Sequence, residues 1–100
     1  MFIHAVLMAF TPETGDDFHR QVEVYAETIR REGRGEGLVS YLYAVNEAGR
    51  SDGLTHAVVA SFDDEAAHER YQASAVHQEM KAFMAPNTER LVVFDSGHWR

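Results

Sequence analysis

Two segments of this sequence, Phe2 to Phe10 and Leu54 to Phe62, read as strands that are apolar on both faces, and this restricts the fold more than any other feature. On the first, His4, Val6, Met8 and Phe10 point one way and Ile3, Ala5, Leu7 and Ala9 the other. On the second, His56, Val58, Ala60 and Phe62 oppose Thr55, Ala57, Val59 and Ser61. A sheet built on such strands has to be covered twice. The helical segments of a 100-residue chain suffice for one face only. The other face is therefore expected to meet a second copy, giving a homodimer.

The rest of the chain supplies those helices and two further strands. Thr11 to Asp17 carries turn residues and helix-start acids. From Asp16 to Glu32 the residues Phe18, Val22, Tyr25 and Ile29 recur at spacings of four, three and four, one apolar stripe of a helix. The run Gly33-Arg34-Gly35-Glu36-Gly37 follows that helix instead of opening one, so it reads as a connector and not as a phosphate loop. Leu38 to Val45 is a strand, and the polar stretch Asn46 to Gly53 joins it to the segment ending at Phe62 in a β-hairpin. Asp63-Asp64-Glu65 starts a helix running to about Gln72. Ser74 caps a second one over His77 to Met84, Pro86 closes it, and Arg90 to Asp95 forms the last strand.

The order β, α, β, β, broken α, β over residues 1–100 predicts a single α+β domain with the ferredoxin-like βαββαβ pattern and an antiparallel sheet. Within it the first and third strands are expected side by side and parallel, which would put His4 and His56 close together near their strand starts.

Nine Lys and Arg against sixteen Asp and Glu give a net charge of -7, which disfavours nucleic acid and anionic membrane as partners. No apolar run approaches the roughly 20 residues of a membrane span, and the N-terminus lacks the basic region and cleavage site of a signal peptide. A cytoplasmic protein is expected. Without cysteine there are no thiolate metal sites or cysteine nucleophiles, so any chemistry rests on His, Tyr and carboxylates. Arginine dominates the basic residues, with Lys81 the only lysine, a habit of GC-rich bacterial genomes.

Four residues are the candidates for a pocket mouth: His4, His56, Tyr71 and His77. The break between the last two helices can bend Tyr71 and His77 toward one end of the sheet. His77 falls near the third position of a helix capped by Ser74, where the positive end of the backbone dipole disfavours imidazolium and keeps the ring neutral, as a general base requires. A three-histidine metal site from His4, His56 and His77 is conceivable, but no pair has the short spacing typical of ligands, and no metal is expected. His19 and His68 lie among charged residues and read as solvated. Trp99 reads as an anchor for the C-terminal tail.

The segments Ile3-His4-Ala5-Val6-Leu7, Gly37-Leu38-Val39-Ser40-Tyr41, Gly53-Leu54-Thr55-His56-Ala57-Val58-Val59, Val76-His77-Gln78 and Leu91-Val92-Val93-Phe94-Asp95, with Tyr71 between, resemble the stress-responsive α/β-barrel (Dabb) family over essentially the whole chain. That resemblance implies a dimeric α+β barrel and, by similarity to a polyketide cyclase of the family, a cofactor-free cyclase or lyase acting on a β-keto or polyketide-like molecule. His77 would take a proton from carbon, and Tyr71 would donate a hydrogen bond to the developing oxyanion. His4, His56, Val6, Met8, Tyr25, Val58, Met80, Leu91 and Val93 would line a site for a small apolar, carbonyl-bearing ligand. Neither a metal nor an organic cofactor would be required. Where the family has His-Pro-Ala-His this chain has Ser74-Ala75-Val76-His77, keeping only the last histidine. Two other functions share the fold: a non-enzymatic stress-associated dimer or apolar-ligand binder, and a small dimeric monooxygenase.

Overall fold

The structure is a computed structural model and describes residues 1–99. Strand β1 (Phe2–Phe10) leads into helix α1 (Asp16–Gly33), the hairpin β2 (Leu38–Val45) and β3 (His56–Phe62), helices α2 (Glu65–Ala73) and α3 (Ala75–Met84), a 3-10 turn over Ala85–Asn87 and strand β4 (Thr88–Ser96). This is the ferredoxin-like βαββαβ arrangement with a split second helix.

All neighbouring strands are antiparallel, in the order β2-β3-β1-β4. The expectation that β1 and β3 run parallel is therefore corrected. Helix α1 carries the chain back so that β2 runs in the direction of β1, the hairpin then reverses it, and β3 fills the gap between them antiparallel to both. The consequence reaches the site: His4 pairs with Ala60, whereas His56 pairs with Met8 at the opposite end of β1.

The helices cover one face. His4, Met8 and Phe10 of β1 and Val58, Ala60 and Phe62 of β3 are buried beneath Val22, Ala26 and Ile29 of α1 and Tyr71, Val76, Met80 and Met84 of the split helix. The amphipathic stripe predicted for α1 thus reaches the core, with the first-turn acids Asp16 and Asp17 and the last-turn Arg30 and Arg31 suiting the helix dipole. Gly37 turns the chain into β2 at φ +94°, and a Cβ there would stand 2.5 Å from that of Ala67, so glycine is required on both counts.

The opposite face is bare. Ala5 lies across from Val59 and Phe94, Leu7 from Ala57 and Val92, and Leu42 from Val59, so these residues share that face. Leu42 is 55% exposed, Val59 44%, Val92 43% and Phe94 59%.

Two caps shape the broken helix. The Asp64 side chain accepts from the Ala67 backbone N–H at 2.9 Å and opens α2. Ser74 serves both pieces: its Oγ donates to the Tyr71 carbonyl at 2.8 Å and accepts from the His77 backbone N–H at 3.3 Å. Because of that cap α3 begins at Ala75, two residues before the expected start, and His77 sits in its first turn.

Candidate active site

Breaking the helix at Ser74 frees backbone carbonyls at the end of α2, since the N–H groups that would have capped them turn away. The Gln72 carbonyl is one of these. It accepts from His77 Nδ1 at 3.1 Å and from the Gln78 side-chain amide at 2.8 Å. A carbonyl accepts only, so His77 carries its proton on Nδ1 and leaves the Nε2 lone pair without a partner among the described residues. Burial, more than any other influence, pushes the His77 pKa down, with the positive charge of Lys81 helping and the Gln72 bond opposing. The ring is thus neutral at physiological pH, in the tautomer a general base needs.

His77 lines a cavity of about 540 Å³ between β1 and β4 on one side and the split helix on the other. Val6, Met8, Met84, Leu91 and Val93 make its apolar wall, and His4, His68, Gln72, Lys81 and Asp95 supply its polar groups. A half-open apolar chamber with a few convergent polar groups suits a small, mostly apolar ligand.

A second polar group faces His77 across this chamber. The antiparallel register of β1 and β4 sets Asp95 directly opposite His4, and His4 Nδ1 approaches Asp95 Oδ1 to 2.5 Å. His68 Nε2, from α2, lies 3.2 Å from the same His4 nitrogen and 3.0 Å from the Gln72 side-chain nitrogen. With the His4 proton directed to Asp95, His68 Nε2 is left to accept from the Gln72 amide. The His68 ring stacks on Phe2 with centroids 4.8 Å apart, and its pKa is lowered chiefly by burial and then by His4, against Asp95, Glu65 and Glu69.

Of the expected lining, His4, Val6, Met8, His77, Leu91 and Val93 come together here. The others lie elsewhere. Tyr71 lines a smaller cavity of about 250 Å³ with Ile29, Leu38, Phe62 and Val76. Its hydroxyl bonds Tyr41 at 2.8 Å, while its ring rests on His77 with centroids 4.5 Å apart. Burial holds the Tyr71 hydroxyl far above the usual phenol range and that of Tyr41 at about 12, so both stay protonated. His56 stands at the other end of the sheet, its ring stacked on His19 at 4.3 Å and its Nδ1 2.9 Å from Thr55 Oγ1. The ring of four polar residues and the set His4, His56 and His77 are therefore not assembled, because β3 runs opposite to the expected direction. Val58 and Met80 are core residues and Tyr25 packs on Phe83.

His68 and Asp95 belong to the site although the sequence reading treated His68 as solvated and singled out Asp95 only as a family element. A signal existed: His68 falls three and four residues before Tyr71 and Gln72, on the same helix face. His19, also read as solvated, bonds the Tyr43 hydroxyl through Nδ1 at 2.7 Å.

Residues 2–97 match the family model of the stress responsive A/B barrel domain. The chain belongs to that family. No curated protein matches this A/B barrel chain. Among solved structures it is similar to a dimeric ferredoxin-like protein of unknown function from Thermobifida fusca (21% identity, TM-score 0.79, covering 95% of this chain and 88% of that one). It is also similar to the hydroxynitrile lyase of Passiflora edulis (17% identity, TM-score 0.80, 95% and 90% covered). A third similar structure is a putative antibiotic biosynthesis monooxygenase from Nitrosomonas europaea (12% identity, TM-score 0.80, both chains covered 100%). At these identities the likeness is one of fold, and A/B barrel domains carry their function in the site.

Proposed function

We propose that this A/B barrel protein is a lyase- or cyclase-type enzyme that takes a proton from a carbon beside a carbonyl in a small, largely apolar molecule. The observation that carries the reading is His77: a buried, neutral imidazole whose Nδ1–H is tied to Gln72 and whose Nε2 has no partner among the described residues, on the wall of an apolar chamber.

A methylene flanked by carbonyls is acidic enough for a neutral imidazole to deprotonate once it is held in place. His77 Nε2 takes the proton, and the electron pair passes into the carbonyl, whose oxygen becomes an oxyanion. The resulting carbon nucleophile adds to a second carbonyl of the chain, and the proton returns to the new alkoxide; run backwards, the same steps cleave a carbon–carbon bond. Lys81, four residues beyond His77 on the same helix face and on the chamber wall, is the cation placed to stabilise the oxyanion. Tyr71 supports His77 through its ring, with its hydroxyl engaged by Tyr41. A hydroxynitrile lyase among the similar structures fits a carbonyl-directed chemistry on this fold.

The test is turnover of linear poly-β-keto thioesters and of cyanohydrins, in which the same base would take the hydroxyl proton as the carbonyl forms and hand it to the departing cyanide. His77→Gln is expected to abolish it without unfolding the protein, and kcat/KM of the parent is expected to be flat near pH 7–8 and to fall below the ordinary imidazole pKa of about 6.5. Turnover retained by His77→Gln refutes the assignment, and ligand binding without turnover of any of these compounds would leave an apolar-ligand binder.

The working unit is a homodimer joined through the bare sheet face. Leu42, Val59, Val92 and Phe94 form an apolar surface too continuous for a monomer in water, and the similar Thermobifida fusca protein is described as dimeric. Light scattering is expected to give twice the 11.3 kDa chain mass, and Phe94→Arg to give monomers; a monomeric parent protein overturns this.

A further inference from the structure

We propose that His4, His68 and Asp95 form a binding site for one divalent transition-metal ion of the zinc type. Three observations point to it. The first is convergence: His4 Nδ1 and Asp95 Oδ1 are 2.5 Å apart, His68 Nε2 and His4 Nδ1 3.2 Å, and His68 Nε2 and Asp95 Oδ1 3.9 Å. Donors held at about 2.0–2.2 Å from one tetrahedral ion stand roughly 3.3–3.6 Å from each other, a spacing these three separations bracket.

The second is the donor set and its mounting. Two imidazoles and one carboxylate are a borderline-soft set suited to zinc and its neighbours and not to calcium or magnesium. They come from β1, α2 and β4, three elements fixed by sheet register and packing, so an ion would meet a preformed site. His4 and His68 are buried, and the rings are held by Phe2 on one side and each other on the second, with centroids 4.8 and 4.6 Å apart.

The third is position and charge. All three residues line the chamber that holds His77, so the ion's fourth position opens toward ligand or water. The Gln72 amide, 3.0 Å from His68 Nε2, can present its oxygen there by turning over. Glu65 and Glu69 on α2 add negative potential at His68, and Lys81 is the opposing cation on the chamber wall. Ligation requires neutral imidazoles and an ionised carboxylate, so binding weakens as the pH falls.

The experiment uses the full chain after chelator treatment, titrated with Co²⁺ alone at pH 7.5 and followed by visible absorption and calorimetry. One equivalent per chain is expected, with d–d bands that Zn²⁺ abolishes by displacement. His68→Gln and Asp95→Asn, with unchanged circular dichroism, are each expected to weaken binding at least tenfold; Asp95 is partly exposed, so its substitution keeps the fold. His98→Gln and His77→Gln are expected to leave the spectrum intact, so loss of turnover and loss of metal are read separately. Absence of a saturable one-equivalent Co²⁺ spectrum, or a spectrum that survives both His68→Gln and Asp95→Asn, overturns the proposal.

Discussion

The Tyr41–Tyr71 hydroxyl pair gives the sharpest quantitative test of how this site is built. The two oxygens are 2.8 Å apart, both residues are buried, and the only other partner among the described residues is the Met80 sulfur, 3.7 Å from the Tyr41 oxygen. Tyr71→Phe keeps the ring on His77 but leaves the Tyr41 hydroxyl with that weak acceptor alone. An orphaned buried hydroxyl costs about 1–3 kcal/mol, and the Met80 contact favours the lower half of that range, so about 1–2 kcal/mol is expected. In a domain of this size each kcal/mol lowers Tm by about 4–8 °C. Tyr41→Phe orphans the Tyr71 hydroxyl instead and is expected to cost a similar amount. The double variant removes both polar groups and should recover most of the loss, because two apolar rings of the same shape replace a satisfied pair. The assay is urea unfolding of the four proteins at one fixed concentration. Additive losses would refute the reasoning by showing that the hydroxyls do not depend on each other. A large fall in turnover with little change in stability in Tyr71→Phe would show that the hydroxyl leaves Tyr41 to serve the ligand.

Two other outcomes follow from local geometry. Gly37→Ala combines a left-handed backbone at φ +94° with a Cβ placed 2.5 Å from that of Ala67, and is expected to cost about 2 kcal/mol or more in urea unfolding; a loss below half that would show that the α2 start gives way. His56 has its pKa lowered by burial and then by His19, so the unfolded chain takes up the proton more readily; the stability this group contributes is present above about pH 6.5 and is lost as the pH falls below it. His56→Gln is expected to flatten the stability profile between pH 7 and 5.5, and an unchanged profile would refute that linkage.

Much of the site was legible because periodicity and capping are local. The alternation in Phe2–Phe10 put His4, Val6 and Met8 on one common face, and the structure has that face under the helices. Ser74 announced the helix start that sets His77 in a first turn, and the dipole argument gave the direction of its pKa that burial reinforces. The bare apolar face also followed from the sequence, since no helix was left to cover it.

Register was decided only by the fold. The direction of β3 was already implied by the element order, since a helical crossover returns β2 parallel to β1 and the hairpin then reverses the chain; with β3 antiparallel to β1, His4 stands beside Ala60 and His56 is sent to the far end. Asp95 becomes the partner of His4 only once β4 lies antiparallel along β1 with Asp95 across from His4, 91 residues away in the chain. Tyr71 and His68 share a helix face, yet once α2 is packed the Tyr71 hydroxyl goes to Tyr41 and the His68 ring to the chamber. Sequence spacing fixes which residues share a surface, because the rise and rotation per residue are set by the backbone. Which surfaces then meet is settled by the packing of elements distant in the chain.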